Sequence, residues 1–123
     1  MHFELKEEYE QYRKKIRAIV EEKIAPYAEE IDATGEYPTK QLAELTKIGM
    51  NGYTVPKEYG GAEKSMMEQV LAAEELARGC MSTAAVVSIW FLGPTPLVIG
   101  GNEEQKRKYL SLLASGECVA SFG

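Results

Sequence analysis

Residues 82–92 read Ser-Thr-Ala-Ala-Val-Val-Ser-Ile-Trp-Phe-Leu, a run without a charge and nonpolar on nearly every side of a helix. A helix apolar all round has no solvated face of its own, so it must be enclosed by its own domain or by a partner. One of its faces, Met81, Ala84, Ala85, Ser88 and Leu92, carries mostly small residues, while Val86, Val87, Trp90 and Phe91 supply bulk elsewhere. Small residues permit either close helix packing or a slot for an apolar ligand. The pattern alone favours packing and leaves both open. The apolar run from Ala84 onward is cut by Gly93, Pro94 and Pro96, short of the ~20 residues that a membrane span requires.

The rest of the chain supplies the cover. Leu5, Tyr9, Tyr12, Ile16, Ile19, Val20, Ile24, Tyr27 and Ile31 follow steps of mostly three and four, one stripe of an amphipathic helix. Pro26 has no N–H for the Glu22 carbonyl, so a kink or short break is expected near residues 23–26. Helix then resumes to about Asp32 and Gly35 ends it. A second helix is expected over Thr39–Ile48, with Leu42, Leu45 and Ile48 inward and Gly49 as its stop. The run Asn51–Gly61 holds Pro56 and the Gly60–Gly61 pair, which read as turns requiring positive φ. It lacks GK[ST] and GxGxxG, so a phosphate loop is not supported.

Ser65 and Glu68 have capping-box spacing. The helix they open places Met67, Val70, Leu71, Glu74 and Ala77 near one face, and Gly79 ends it. The methionines read as core filling, and Glu74 as a satisfied buried or boundary carboxylate rather than a catalytic one. Leu97-Val98-Ile99 form a short apolar turn. Asn102 then N-caps a last helix with Glu103 and Glu104 in its first turn and Tyr109, Leu110, Leu112 and Leu113 as its contacts. Beyond Gly116, Cys118, Ala120 and Phe122 alternate with Val119 and Ser121, a strand pattern with no partner strand in the chain. The fold class is therefore all-α. It is an orthogonal or up-down bundle of about five to six helices, with the start of a β-strand at the C-terminus.

Composition narrows the function. Fourteen basic against nineteen acidic side chains leave a net charge of −5, a poor match for a nucleic-acid backbone. A chain of 123 residues buries one modest core. Cys80 and Cys118 lie far apart with no CxxC, which argues against a disulfide framework or a zinc site and fits a reducing cytoplasm. The one histidine, His2, sits at the N-terminus, so a Ser-His-Asp triad or a His-ligated metal lacks its imidazole. No metal is expected. The start MHFELKEEY has no cationic segment followed by an apolar one, so no signal peptide is read.

Four segments then carry a resemblance: IAPYAEEIDATGEYP, LAELTKIGMNGYTVPKEYGG, AAEELARGC and GGNEEQKRKYLSLLASGE. In this order and spacing the chain resembles the N-terminal all-helical domain of flavin-dependent acyl-CoA dehydrogenases, along essentially its whole length. The resemblance implies that residues 1–116 form that domain and residues 117–123 a truncated run-in to a middle β-domain. Complete family members add a C-terminal four-helix bundle and bind FAD between the last two domains, with contacts from a neighbouring subunit. They dehydrogenate an acyl-CoA thioester: a carboxylate base takes the α-proton while the β-hydride passes to flavin N5. The resemblance also implies a homo-oligomer, dimer or tetramer, and an electron-transfer flavoprotein as acceptor.

Carried over residue by residue, the resemblance gives no catalytic and no cofactor-binding position in this chain. The chain alone is thus expected to be inactive and to bind no FAD. What the resemblance does give is substrate contact: Ala84, Ala85, Ser88, Ile89 and Leu92 match positions that line the family's acyl-chain pocket. That reverses the preference for packing on this face. The bulk of Ile89, Trp90 and Phe91 points to a short-chain or branched acyl group. Acyl-CoA oxidase and flavin monooxygenase share the fold and stand as alternatives, as does a non-catalytic helical interaction module.

Overall fold

In the computed structural model, which describes residues 4–121, α1 (Glu7–Lys23) buries Ile16 and Val20. The break expected at Pro26 is a single 3-10 turn over Ala25–Tyr27. The proline stands at the start of that turn, where its missing N–H goes unneeded. Helix resumes as α2 (Ala28–Thr34), and Gly35 closes it in the left-handed region at φ 68°. Next, α3 (Thr39–Lys47) buries Leu42 and Leu45. Ile48, expected inward, is exposed instead, because the helix has ended and Gly49 turns the chain away.

Between α3 and the next helix the chain folds back on itself. Ala62 N donates to Gly52 O at 2.8 Å, Lys64 N to Tyr53 O at 2.7 Å, and Glu63 N to Val55 O at 3.1 Å. The close approach explains the second glycine of the pair: a Cβ on Gly61 would lie 1.9 Å from the Val55 carbonyl oxygen. Gly60 takes the positive φ expected of the pair, 86°, whereas Gly61 does not and is required by this close approach instead.

The capping box opens α4 (Met66–Gly79): Ser65 Oγ accepts the Glu68 N–H at 3.3 Å, and the Glu68 carboxylate accepts the Ser65 N–H at 2.9 Å. The buried face is Leu71, Ala72, Glu75 and Leu76, one position round from the expected face. Glu74 and Ala77 are exposed, and Glu75 is the buried carboxylate, because α4 turns this side to α1, where Arg17 meets Glu75.

Cys80 alone separates α4 from α5 (Met81–Leu92). Thr83, Ala84, Val87 and Trp90 of α5 are buried, Ala84, Val87 and Trp90 in one core with Ile16, Val20, Leu45, Met50 and Leu76. The opposite side, with Ala85, Ser88 and Leu92, is exposed, so the demand for enclosure is met on half of the helix only.

Where an apolar turn was expected there is a short helix, α6 (Thr95–Gly100). Asn102 and Gln105 form a second capping box, 2.9 Å each way, at the start of α7 (Glu103–Ser115). Leu110 of α7 joins Val55 and Tyr59 in a second, smaller cluster. Met81–Gly100 together number 20 residues of mean hydropathy 1.6, long and apolar enough to cross a membrane by length and composition, where the sequence reading placed the run short of that. A turn at Gly93–Pro94 divides it into two helices whose inner side, down to Pro94, is buried in the protein.

Every regular element among the described residues is helical. The strand expected past Gly116 does not form there: residues 117–121 are irregular, since the alternation has no strand to pair with. Ala120 instead packs on Gly93, whose glycine leaves room for it. Phe122 of that pattern, and His2, lie outside the described residues. Cys80 is a buried thiol and Cys118 an exposed one.

Candidate functional site

The exposed side of α5 borders an open groove of about 560 Å³, with α4 as its other wall. Met66, Gln69, Val70 and Ala73 come from α4, Ser88, Phe91 and Leu92 from α5, and Thr95 and Val98 from α6. The back-folded loop adds Tyr53, Thr54, Glu63 and Lys64. The deepest of these is Tyr53, 4% exposed, which stacks on Phe91 with ring centroids 5.6 Å apart and planes 8° from parallel. The Ser88 hydroxyl donates to the Ala84 carbonyl at 2.9 Å and the Thr95 hydroxyl to the Phe91 carbonyl at 3.3 Å. Both O–H donors are thus committed to the helix backbone. The walls that remain are largely hydrocarbon, which suits an apolar chain better than a polar ligand.

Charge gathers at one rim. Lys64 Nζ pairs with Glu68 at 2.7 Å and stands 5.3 Å from the centre of the Tyr12 ring. Burial works against ionising Glu68, but the Lys64 ammonium and the Ser65 N–H and hydroxyl hold its carboxyl below the ordinary range. Burial pushes the phenols of Tyr12 and Tyr53 up, so neither serves as an acid near neutral pH. Glu63 is the one described non-glycine residue at positive φ, 47°, and its strained backbone turns the chain back toward Tyr53.

Ser88 and Leu92, of the five α5 positions singled out by sequence, line this groove. Ala85 and Ile89 lie on the same outward side of α5 without lining it, and Ala84 is buried in the core. The α4 wall was missed. Its signal is a second apolar stripe: Leu71, Ala72 and Leu76 meet the core, so Met66, Val70 and Ala73, four and three apart, are left for something else.

The groove holds no nucleophile paired with a base. Among the described residues no group of three His, Cys, Asp or Glu is placed to hold a metal. A flavin dinucleotide needs free N–H or cationic groups for its pyrophosphate, and the glycine turns do not offer them. Gly60, Gly61 and Ala62 donate to the carbonyls of Lys57, Pro56 and Gly52, and Gly101 to that of Leu97. The N-terminus of α7 is closed by Asn102 and carries Glu103 and Glu104. These residues do not fit such a cofactor. The arrangement can shelter and orient an apolar chain.

Residues 6–117 match the sequence profile of the acyl-CoA dehydrogenase N-terminal domain. The chain is 40% identical over 127 aligned positions to "Probable acyl-CoA dehydrogenase YngJ" of Bacillus subtilis (strain 168), covering 100% of this chain and 33% of that protein. It superposes with a TM-score of 0.88 and 29% identity on glutaryl-coenzyme A dehydrogenase solved with glutaryl-CoA, covering 100% of this chain and 32% of that one. An acyl-CoA dehydrogenase from Bacillus anthracis solved with FAD gives a TM-score of 0.83 and 32% identity, over 95% of this chain and 20% of that one. The chain thus spans about a third of the length of the curated relative. With its sequence matched along almost all its length and its helices superposing throughout, the chain belongs to the acyl-CoA dehydrogenase family, as its N-terminal domain.

Proposed function

We propose that this chain is the substrate-side helical wall of a flavin-dependent acyl-CoA dehydrogenase, and that the groove between α4 and α5 receives the acyl chain of a CoA thioester. The observation that carries the reading is the apolar groove of about 560 Å³ on the open side of the helix that is apolar all round. Burying hydrocarbon there contributes about 0.8 kcal/mol per methylene. Holding the chain still presents its α and β carbons to chemistry supplied by the rest of the protein. Ser88 and Leu92 touch the chain, Ala85 and Ile89 continue the outward face of α5, and Ala84 holds that helix close to the core from beneath.

FAD and the catalytic carboxylate belong to other parts of the complete protein, and residues 117 onward lead into a middle β-domain. The committed N–H groups of the glycine turns support that division. An electron-transfer flavoprotein as acceptor, a homo-oligomeric assembly and a cytoplasmic location complete the proposal; the two free thiols fit the last.

The test uses the full-length protein that carries this segment. Acyl-CoA should bleach its bound flavin, and Ser88→Phe should lower kcat/KM on long acyl chains about ten-fold more than on short ones. Equal loss at all chain lengths would reduce this face of α5 to packing. A flavin left oxidised by every acyl-CoA would overturn the dehydrogenase itself and favour a non-catalytic module.

A further inference from the structure

We propose that the stacked rings of Tyr53 and Phe91 are the floor of the groove and set how bulky an acyl group it admits; the assignment rests on the acyl-chain reading above. Tyr53 is the one groove-lining residue that is buried, and its ring lies against Phe91 at 5.6 Å, nearly parallel. The other walls yield more readily. Met66, Val70 and Leu92 are exposed at the rim, with solvent on one side to give way as a ligand enters, and the unbranched Met66 has the most rotamers to choose from.

The ring pair has no such freedom. Tyr53 is fixed through its backbone, its N–H donating to the Met50 carbonyl at 3.3 Å and its carbonyl accepting the Lys64 N–H at 2.7 Å. Its side chain packs in the main core, with Tyr12 and Phe91 against the same cluster. A close-packed interior resists added volume. A ligand therefore meets soft walls at the sides and a hard aromatic floor beneath. The floor decides girth and the number of methylenes that fit, while the rim adapts.

Removing the Phe91 ring deepens the groove without touching its charged rim. In the full-length flavoprotein, Phe91→Ala should raise the ratio of kcat/KM for octanoyl-CoA to that for butyryl-CoA by about ten-fold, with flavin content unchanged. Phe91→Leu should move the ratio in the same direction and by less. Glu74→Gln, exposed and outside the groove, should leave the ratio at the wild-type value. A packing role alone would lower activity on both substrates together. Ratios within about two-fold of wild type in both Phe91 variants overturn the floor. So does a Glu74→Gln shift as large as that of Phe91→Ala. If Phe91→Ala does not fold, Phe91→Leu decides alone. A wild-type protein whose flavin no acyl-CoA reduces overturns the dehydrogenase reading and the floor with it, whereas an active enzyme with unmoved ratios overturns the floor only.

Discussion

The Glu75 carboxylate, 4% exposed, accepts hydrogen bonds from Arg17 at 2.7 and 2.8 Å and from Arg78 at 3.1 Å, and Arg78 also reaches Glu21 at 3.0 Å. Arg17 outweighs the opposing effect of burial, Arg78 adds to it, and the carboxyl is held below its ordinary range. Charged hydrogen bonds of this kind contribute strongly when dry. Here both arginines are partly in water, which brings the expected cost of Glu75→Gln to about 1–3 kcal/mol of unfolding free energy. The folded state releases this proton more readily than the unfolded chain does. Its stabilisation is therefore complete above about pH 4.5 and drains away as pH falls through the lower, folded value. Denaturant titrations at pH 7 and pH 3 should show Glu75→Gln losing stability at pH 7 and a narrower gap from wild type at pH 3. An equal gap at both values would remove the carboxylate from the account. Sequence reading placed the buried carboxylate at Glu74, its neighbour. On α4 the apolar residues Val70 and Leu71 are adjacent, so periodicity alone cannot set the phase of the buried face. The partner that fixes it, Arg17, lies 58 positions away.

At the scale of elements, α1 and α4 pack together at Gly79, where a Cβ would lie 2.2 Å from Cγ1 of the fully buried Val20. Val20 is β-branched and enclosed, so it has no room to give. Gly79→Ala should push the helices apart and cost about 1–3 kcal/mol. Val20→Ala alone should also destabilise, by leaving a cavity. Together they should cost less than the sum, since the new methyl partly fills the space that the valine vacated. Strict additivity in a double-mutant cycle would mean that the two residues do not share this contact. The caps and breaks of the helices were legible because each is local: Ser65 answers Glu68 three residues on, and Pro26 acts on its own turn. The groove was not, because it is assembled from a loop at residues 53–64 and from helix residues as far along the chain as Val98. What α5 carried in its sequence was half of a site, the small outward face without the opposite wall.

At the scale of the whole molecule, several large apolar side chains stand open to solvent. Ile99 is 81% exposed, Met66 73% and Met81 68%, and Val70, Leu92 and Val119 are also open to solvent. Met66, Val70 and Leu92 border the groove between α4 and α5, while Val119 lines a second depression with Leu97 and Leu112 near Gly93. Scattered apolar residues are ordinary on a protein surface, but grouped ones favour contact with another apolar surface. The chain spans about a third of its curated relative, so surface of this kind is what a longer protein would cover. The 123-residue chain on its own should therefore bind a hydrophobic dye and show a light-scattering mass that rises with concentration. Salt should not abolish the association, because hydrophobic contact is not screened as charge is. Met66→Lys and Val119→Lys together should lower both signals, as each puts a charge into one of the two open apolar regions. A strictly monomeric chain with no dye binding would mean that these side chains make no continuous patch in solution, and the groove would then have to be narrower than its walls imply.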